Sequence, residues 1–203
     1  MKKMFCLCIF SALLTACASQ QTQDVSASVS VSYDPAHYAR IRLFGQNQRP
    51  SVMNVGKDCA TGAKGYKVNV GGGFGDAFKS FAGAASNKSL GIPETESTRQ
   101  LSARDGLLSK AFYQEFVIPA GTLVRVRASY IGLTTTSSSP REIIISREKS
   151  STSRDVPFVP QAGKDYEAIS TRQNNKEFVW IYEVKTDGTL QPIPEKQPEA
   201  CGE

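Results

Sequence analysis

Few side chains in this sequence have the type and spacing of a catalytic or metal site. His37 is the only histidine, which excludes two-histidine metal sites and the H-E-x-x-H signature of zinc proteases. A Ser-His-Asp triad would have to use His37, and no G-x-S-x-G turn accompanies it. We therefore expect His37 to lie on the surface, and we expect a protein with no enzymatic activity, no cofactor and no metal ion.

The glycine run Gly71–Gly75 does not fit a phosphate-binding loop. In the dinucleotide fingerprint G-x-G-x-x-G, the last glycine position would fall on Asp76, an anion where a pyrophosphate should sit. The pattern instead predicts a flexible loop or hairpin against which other backbone packs.

The N-terminus has the layout of a secretory signal that ends in a cysteine. Met1-Lys2-Lys3 precedes an apolar run over residues 4–14, which is shorter than the roughly twenty residues that a membrane-spanning helix needs. The sequence Leu14-Thr15-Ala16-Cys17 then resembles the bacterial lipobox, whose cysteine is acylated after the preceding bond is cut. We predict a lipoprotein signal peptide over residues 1–16 and a lipidated, palmitate-bearing Cys17.

Two or three acyl chains would anchor the mature protein to a membrane without spanning it. Cys17 is followed by Ala18 and not by Asp, the usual inner-membrane retention residue, so we expect a periplasm-facing protein of the outer membrane. Residues 17–35 are rich in Ser and Gln and predict a flexible tether. An ordinary signal peptide, cut near Ala16 or Ala18, is the alternative.

Cys59 and Cys201 are the cysteines that remain once the signal peptide is removed and Cys17 carries lipid. In an oxidising periplasm, two cysteines predict one disulfide, which the chain-entropy model values at about 4–5 kcal/mol for so long a loop. The bridge would tie the Pro-rich tail, residues 192–203, to an early strand. An intermolecular bridge and two free thiols are the alternatives.

Period-two alternation of apolar residues dominates the body of the chain and predicts strands. Tyr38–Phe44 and Leu123–Tyr130 each place one row inward: Ala39, Ile41 and Leu43 in the first, and Val124, Val126 and Ala128 in the second. Phe178–Val184 is apolar on both faces, which predicts a central strand or one under a covering loop. Weaker strand candidates are Ser51–Val55, Lys67–Val70, Arg141–Arg147 and Asp165–Thr171.

Two similar turns connect predicted strands, Phe116–Gly121 and Phe158–Gly163, each with a proline followed by a glycine. Many short strands with such turns predict a mainly β protein. With 203 residues, 40% of them hydrophobic, we expect one domain over residues 36–191. Its fold class would be an antiparallel β-sandwich of the immunoglobulin or transthyretin kind, or an open barrel.

Residues 71–110 form a long insertion that is rich in small residues, and such insertions in compact domains are usually functional or mobile. Phe74, Phe78 and Phe81 have helix-like spacing, which predicts a short helix there.

Four arginines are the candidate partner-binding residues. Alternation places Arg40 and Arg42 on the outward face of one strand, and Arg125 and Arg127 on that of another. In one sheet they would form a basic patch able to meet an anionic glycan or an acidic protein partner. A solvated face that blocks edge aggregation is the alternative. Nucleic acid is not expected, since no aromatic residues are interleaved with the arginines.

Four stretches carry a family resemblance: the lipobox, the strand Tyr38–Leu43, the corner Ile118–Gly121 and the segment Phe158–Glu167. With these the chain resembles a family of small proteobacterial outer-membrane lipoproteins. The resemblance implies a β-sandwich fold and no particular activity, and it carries over only Cys17 as a site residue.

These observations predict a lipid-anchored envelope protein that binds a partner protein or has a structural role. Removal of the predicted signal peptide takes away two lysines and no acidic residue, so the formal charge of the mature chain falls from +5 to +3. A charge this small does not indicate a function that depends on a strongly basic protein. A periplasmic ligand-binding or peptidoglycan-binding module is the alternative.

Overall fold

The computed structural model describes residues 32–57, 61–71, 87–105, 109–132, 134–139 and 142–194. They are mainly β, with one short α-helix and one 3-10 helix. In chain order the elements are β1 Tyr38–Gly45, β2 Ser51–Val55, β3 Tyr66–Val70, α1 Glu96–Arg99, the 3-10 helix Leu101–Arg104, β4 Phe112–Pro119, β5 Val124–Tyr130, β6 Thr134–Ser139, β7 Glu142–Arg147, β8 Ser151–Thr152, β9 Val156–Phe158, β10 Asp165–Gln173, β11 Lys176–Val184 and β12 Leu190–Pro192.

Two sheets pack face to face. The first has the order β12-β11-β10-β1-β4, and the second has the order β3-β2-β5-β8, with β9 also paired to β5. The hairpin β6–β7 pairs with neither sheet in the described part of the chain. The predicted β-sandwich is thus confirmed. Its strand pairs were predicted to be antiparallel, but β1 and β10 run parallel.

Alternation assigned the core correctly. Ala39, Ile41 and Leu43 are fully buried in the first sheet, and the predicted inward row of β5 is buried in the second. These rows meet Met53 and Phe158 in one apolar cluster between the sheets. Burying an aliphatic side chain of this size contributes about 1.5–3 kcal/mol, so the apolar cluster between the sheets stabilises the fold.

The two predicted corners are confirmed, and they contact each other. Gly121 and Gly163 both have φ of +73°, a conformation that side chains with a Cβ rarely adopt. The Gly121 amide donates to the Pro160 carbonyl at 2.8 Å, and the Gly163 amide donates to the Tyr38 carbonyl at 2.9 Å. The corners therefore fix β4, β5 and β10 against the start of β1.

A tight hairpin joins β10 and β11. Asn174 and Asn175 both have positive φ, 49° and 59°, which matches the right-handed twist of the flanking strands. Asparagine tolerates this conformation because its short side chain bonds locally. The Asn-Asn pair is a hairpin signal in the sequence that period-two alternation does not contain.

The described part of the predicted insertion crosses the outer face of the first sheet. We call residues 88–104 the strap. It begins at the edge of β4, where the Lys88 amide donates to the Tyr113 carbonyl at 3.2 Å. Its helix α1 begins at Thr95, which forms a capping box with Thr98. The helix predicted around Phe74, Phe78 and Phe81 lies outside the described residues.

Candidate functional site

A buried ion cluster lies on the outer face of the first sheet. In the strand register Arg42 of β1 stands between Glu115 of β4 and Glu167 of β10. Arg42 Nε and Nη2 donate to Glu115 Oε1 at 3.0 and 2.7 Å, and Arg42 Nη1 donates to Glu167 Oε2 at 2.8 Å. The three side chains are at most 1% exposed. We call these three residues the Arg42 cluster.

The strap completes the hydrogen bonds of this cluster. Arg42 Nη2 donates to the Ile92 carbonyl at 2.8 Å and to the Pro93 carbonyl at 3.1 Å. Glu115 Oε2 accepts from the amides of Leu90 and Ile92. Charge-assisted bonds of this kind are about twice as strong as neutral ones. The Arg42 cluster therefore holds the strap on the sheet.

Glu167 is less completely bonded than Glu115. Its Oε2 accepts from Arg42 and from Thr95 Oγ1 at 2.8 Å, which also ties the start of α1 to the cluster. Its Oε1 is buried and has no hydrogen-bond partner among the described residues. One guanidinium thus faces two carboxylates.

The prediction of one exposed arginine face is wrong. Arg40 and Arg42 lie in the first sheet, whereas Arg125 and Arg127 lie in the second. Arg42 and Arg125 are buried, and Arg127 is half-buried. Arg40 donates to Asp165 from Nε and Nη2 at 2.7 and 2.8 Å, a contact that raises the pKa of Arg40 above its ordinary value. The alternation of apolar residues identifies the outer face of a strand, but it does not predict whether another segment of the chain covers that face.

His37 lies on the surface, as expected. Its side chain is 75% exposed, and its Nδ1 lies 2.7 Å from Asp34 Oδ2 in the turn before β1. This hydrogen bond lowers the pKa of Asp34. The imidazole therefore belongs to a local turn at the start of the domain.

Several predicted residues lie outside the described part of the chain. They are Cys17, Cys59 and Cys201, together with the glycines of the run after Gly71. Gly71 itself has φ of +83° and packs against the backbone of Gln46. The lipid anchor and the disulfide therefore stay sequence predictions.

The last long strand agrees only in part with its prediction. β11 lies between β10 and β12, as predicted for a central strand, yet no loop covers its outer face in the described chain, and Phe178 and Trp180 are 39% and 54% exposed there. Val179 and Ile181, which point the other way, are buried in the core. Trp180 stands opposite Ile169 of β10. The strap covers the outer face of the first sheet over β4, β1 and β10, and it leaves Phe178 and Trp180 of β11 exposed to solvent.

A cavity of about 660 Å³ opens beside this strand, between the edge of the first sheet and the edge of the second. Its walls come from β8, β9, β11 and the segment after β12, down to Pro194. Glu177 is among the lining residues and is 5% exposed; its Oε1 accepts no hydrogen bond in the described chain but lies 3.7 Å from Arg172 Nε in an ion pair. Burial raises the pKa of Glu177, and the nearby Arg49 and Arg172 oppose that effect.

Among the described residues, the hairpin β6–β7 carries the most exposed of the large aliphatic side chains. Ile143, Ile144 and Ile145 are 68%, 54% and 64% exposed. They are consecutive in β7, so both faces of the strand are apolar. The partner strand β6 offers Thr and Ser opposite them. The sequence predicts this strand, but it does not predict that the isoleucines are exposed.

The fold defines a β-sandwich with an outer strap and a projecting hairpin. Comparison of the chain with protein-family models, with curated proteins and with solved structures gives no match. Within the described ranges, no helix is long and apolar enough to cross a membrane, and no group of His, Cys, Asp and Glu has the geometry of a metal site.

Proposed function

We propose that this protein is a lipid-anchored component of the outer membrane, on its periplasmic side, whose β-sandwich binds a partner protein in the envelope. The anchor rests on Cys17 and the lipobox that precedes it. The binding role rests on one structural observation, the three consecutive exposed isoleucines of β7.

Exposing Ile143, Ile144 and Ile145 to water is unfavourable in free energy unless another surface buries them. An isolated two-stranded hairpin is only marginally stable in water, and runs of exposed apolar residues occur mainly at binding sites. Ile144 points to one face of the hairpin, whereas Ile143 and Ile145 point to the other. A partner that buries the row therefore has to contact both faces, as a groove or the edge of another β-sheet does.

The arginines favour a protein partner over an anionic glycan. Arg40 and Arg42 already pair with carboxylates of the domain, and Arg125 donates to the Lys57 carbonyl. Side chains committed in this way do not form an open basic surface for peptidoglycan or lipopolysaccharide. The non-enzymatic role follows from the residue inventory of the sequence, with its single histidine.

Site-specific photo-crosslinking in intact cells tests the partner. A photoreactive residue replaces Ile144 or Ile145 in the full-length, lipidated chain, and Thr186, an exposed turn residue, serves as the matched control position. We expect one discrete protein adduct from both isoleucine positions and none from Thr186.

Three results would contradict the proposal: no adduct from the isoleucines, an adduct only with a second copy of the chain, or retention on purified sacculi without a protein partner. The double substitution Ile143→Ser with Ile145→Ser should abolish the Ile144 adduct and change the free energy of unfolding by no more than about 0.5 kcal/mol, since both side chains are exposed.

A further inference from the structure

The hairpin β6–β7 extends one strand pair of the second sheet. Tyr130 of β5 stands opposite Ser151 of β8, and Thr134 of β6 stands opposite Arg147 of β7. Three residues separate these two pairs on each arm of the chain, so the two ladders share one register. The hairpin is therefore the outer end of a ribbon that β5 and β8 begin, and the two parts meet where the ladder is interrupted.

We call the described residues of this interruption, 131, 132 and 148–150, the joint. No β-ladder pairs its two arms within these residues. The Gly132 amide instead donates to Ser150 Oγ at 2.9 Å, and a Cβ at Gly132 would collide with the Glu148 carbonyl. Hinges lie at the ends of such elements, so the joint determines the direction of the hairpin.

The two arms of the joint are attached to the sandwich in different ways. On the first arm, the Ile131 amide donates to the Gln48 carbonyl at 2.8 Å, in the loop before β2. On the second arm, the Lys149 carbonyl accepts a hydrogen bond of 3.0 Å from Nη2 of Arg172, a residue of β10 in the first sheet. The second arm is thus held across the sandwich by one side chain.

The same guanidinium also packs on the residue that borders the first arm. The Cζ atom of Arg172 lies 3.7 Å from the ring centroid of Tyr130, and the Tyr130 hydroxyl donates to Glu148. A guanidinium on an aromatic face adds a cation–π attraction to its packing. Arg172 therefore links the end of β5 to the segment that follows β7.

Arg172 is itself held in place by the hairpin that joins β10 and β11. Its Nη2 also donates to Asn175 Oδ1 at 3.1 Å, and its Nε lies 3.7 Å from Glu177 Oε1 in an ion pair. The side chains of Arg172 and Glu177 are 19% and 1% exposed. A buried carboxylate restrains the guanidinium, so the contact with the joint is formed in the free protein.

We propose that Arg172 is a positioning residue for partner binding: with Tyr130 it clamps the joint and fixes the direction in which the hairpin presents its three isoleucines. The role in binding rests on the proposed function, whereas the restraint on the hairpin does not. An isolated hairpin is only marginally ordered in water, so the sandwich has to supply this order. A preformed hairpin binds more tightly because it loses less conformational entropy on association.

Distances between two spin labels test the clamp in the purified full-length chain, without a partner. Non-canonical amino acids that carry a nitroxide replace Ser137 in the hairpin and Thr186 in the turn after β11, both exposed. The test variant is Arg172→Met with Glu177→Gln, and Glu177→Gln alone is the matched control. Neither variant leaves a buried carboxylate without its counter-ion. We expect a narrow distance distribution in the control and one wider by about twofold or more in the test variant.

A second variant disturbs the joint without changing Arg172. Gly132→Ala places a methyl group against the Glu148 carbonyl, so it should also shift or widen the distance distribution. Cooperative thermal unfolding of each variant shows that the sandwich itself stays folded.

Photo-crosslinking from Ile144 in intact cells measures the consequence for binding. We expect the adduct yield of the test variant to fall by roughly tenfold or more relative to Glu177→Gln, since the partner then has to order the hairpin.

Equal distance distributions in the test variant and its control would overturn the clamp. A wider distribution with an unchanged adduct yield would overturn its role in binding. Absence of an adduct from the otherwise unsubstituted chain would instead contradict the proposed function, and the distances would still decide whether Arg172 positions the hairpin.

Discussion

Arg42 and Glu115 face each other across β1 and β4, joined by two hydrogen bonds of 3.0 and 2.7 Å to a single carboxylate oxygen. Both side chains are buried, with exposures of 1% and 0%. Removing one partner from a buried ion pair leaves an uncompensated charge, which costs about 3–5 kcal/mol. Arg42→Leu should therefore lower the free energy of unfolding by about that amount, measured by urea denaturation.

The matched control is Arg99→Leu. Arg99 pairs with Glu96 at 3.2 Å, but both side chains are more than half exposed, and such surface pairs contribute about 0–1 kcal/mol. Similar losses in the two variants would show that the Arg42 cluster does not stabilise the fold.

The two carboxylates of the Arg42 cluster should respond differently to amide substitution. Glu115 accepts hydrogen bonds from Arg42 and from the strap amides of Leu90 and Ile92. Glu115→Gln removes the charge and one acceptor oxygen, so we expect a clear loss of stability and faster hydrogen exchange in the strap. Glu167→Gln relieves the excess negative charge and changes a residue whose Oε1 has no partner in the described chain, so its cost should be smaller. A larger loss for Glu167→Gln would contradict this assignment.

Two carboxylates of β11 should give stability profiles of opposite sign against pH. Burial raises the pKa of Glu177, so its contribution is present below its unfolded pKa and is lost as the pH rises through its folded pKa. Hydrogen bonds from Lys185 and Lys164 lower the pKa of Glu183, so its contribution is present above its unfolded pKa and is lost in acid.

Between about pH 3 and pH 7, Glu183→Gln should thus become less favourable relative to the unsubstituted protein as the pH rises toward the ordinary glutamate pKa of 4.5, and Glu177→Gln should become more favourable as the pH rises above that value. Thermal unfolding across that pH range measures both trends. Parallel trends in the two variants would contradict the assigned shifts.

The proposed lipid anchor predicts a simple outcome at Cys17. Cys17→Ala should abolish globomycin-sensitive processing and release the protein from the membrane fraction, because acylation requires the sulfur atom. Metabolic labelling with a radioactive fatty acid measures the modification directly. Continued labelling of the Ala variant would refute the anchor.

The predicted bridge between Cys59 and Cys201 is tested by gel mobility. The mature protein should run faster without reductant, slow after reduction and lose the fast form in Cys201→Ser. The variant should also be less stable by up to about 4–5 kcal/mol under oxidising conditions. Constant mobility in all samples would count against the bridge.

The alternation in Tyr38–Phe44 and Leu123–Tyr130 determined the strands, their inner rows and the sandwich class, because strand side chains alternate with a strict period of two. The corners at Gly121 and Gly163 were equally local, since proline and glycine restrict or free φ wherever they stand. The prediction of a targeting signal around Cys17 likewise rests on consecutive residues.

The tertiary structure decided what covers each face. The strap buries Arg42 through contacts with residues 50 and 51 positions away, and nothing in the alternation of β1 encodes that cover. The reverse holds for Trp180, whose apolar strand predicted burial but whose outer face receives no strap. Exposure depends on which distant segment packs against a face, so the sequence specified the two faces of each strand, and long-range packing determined which outer faces contact solvent.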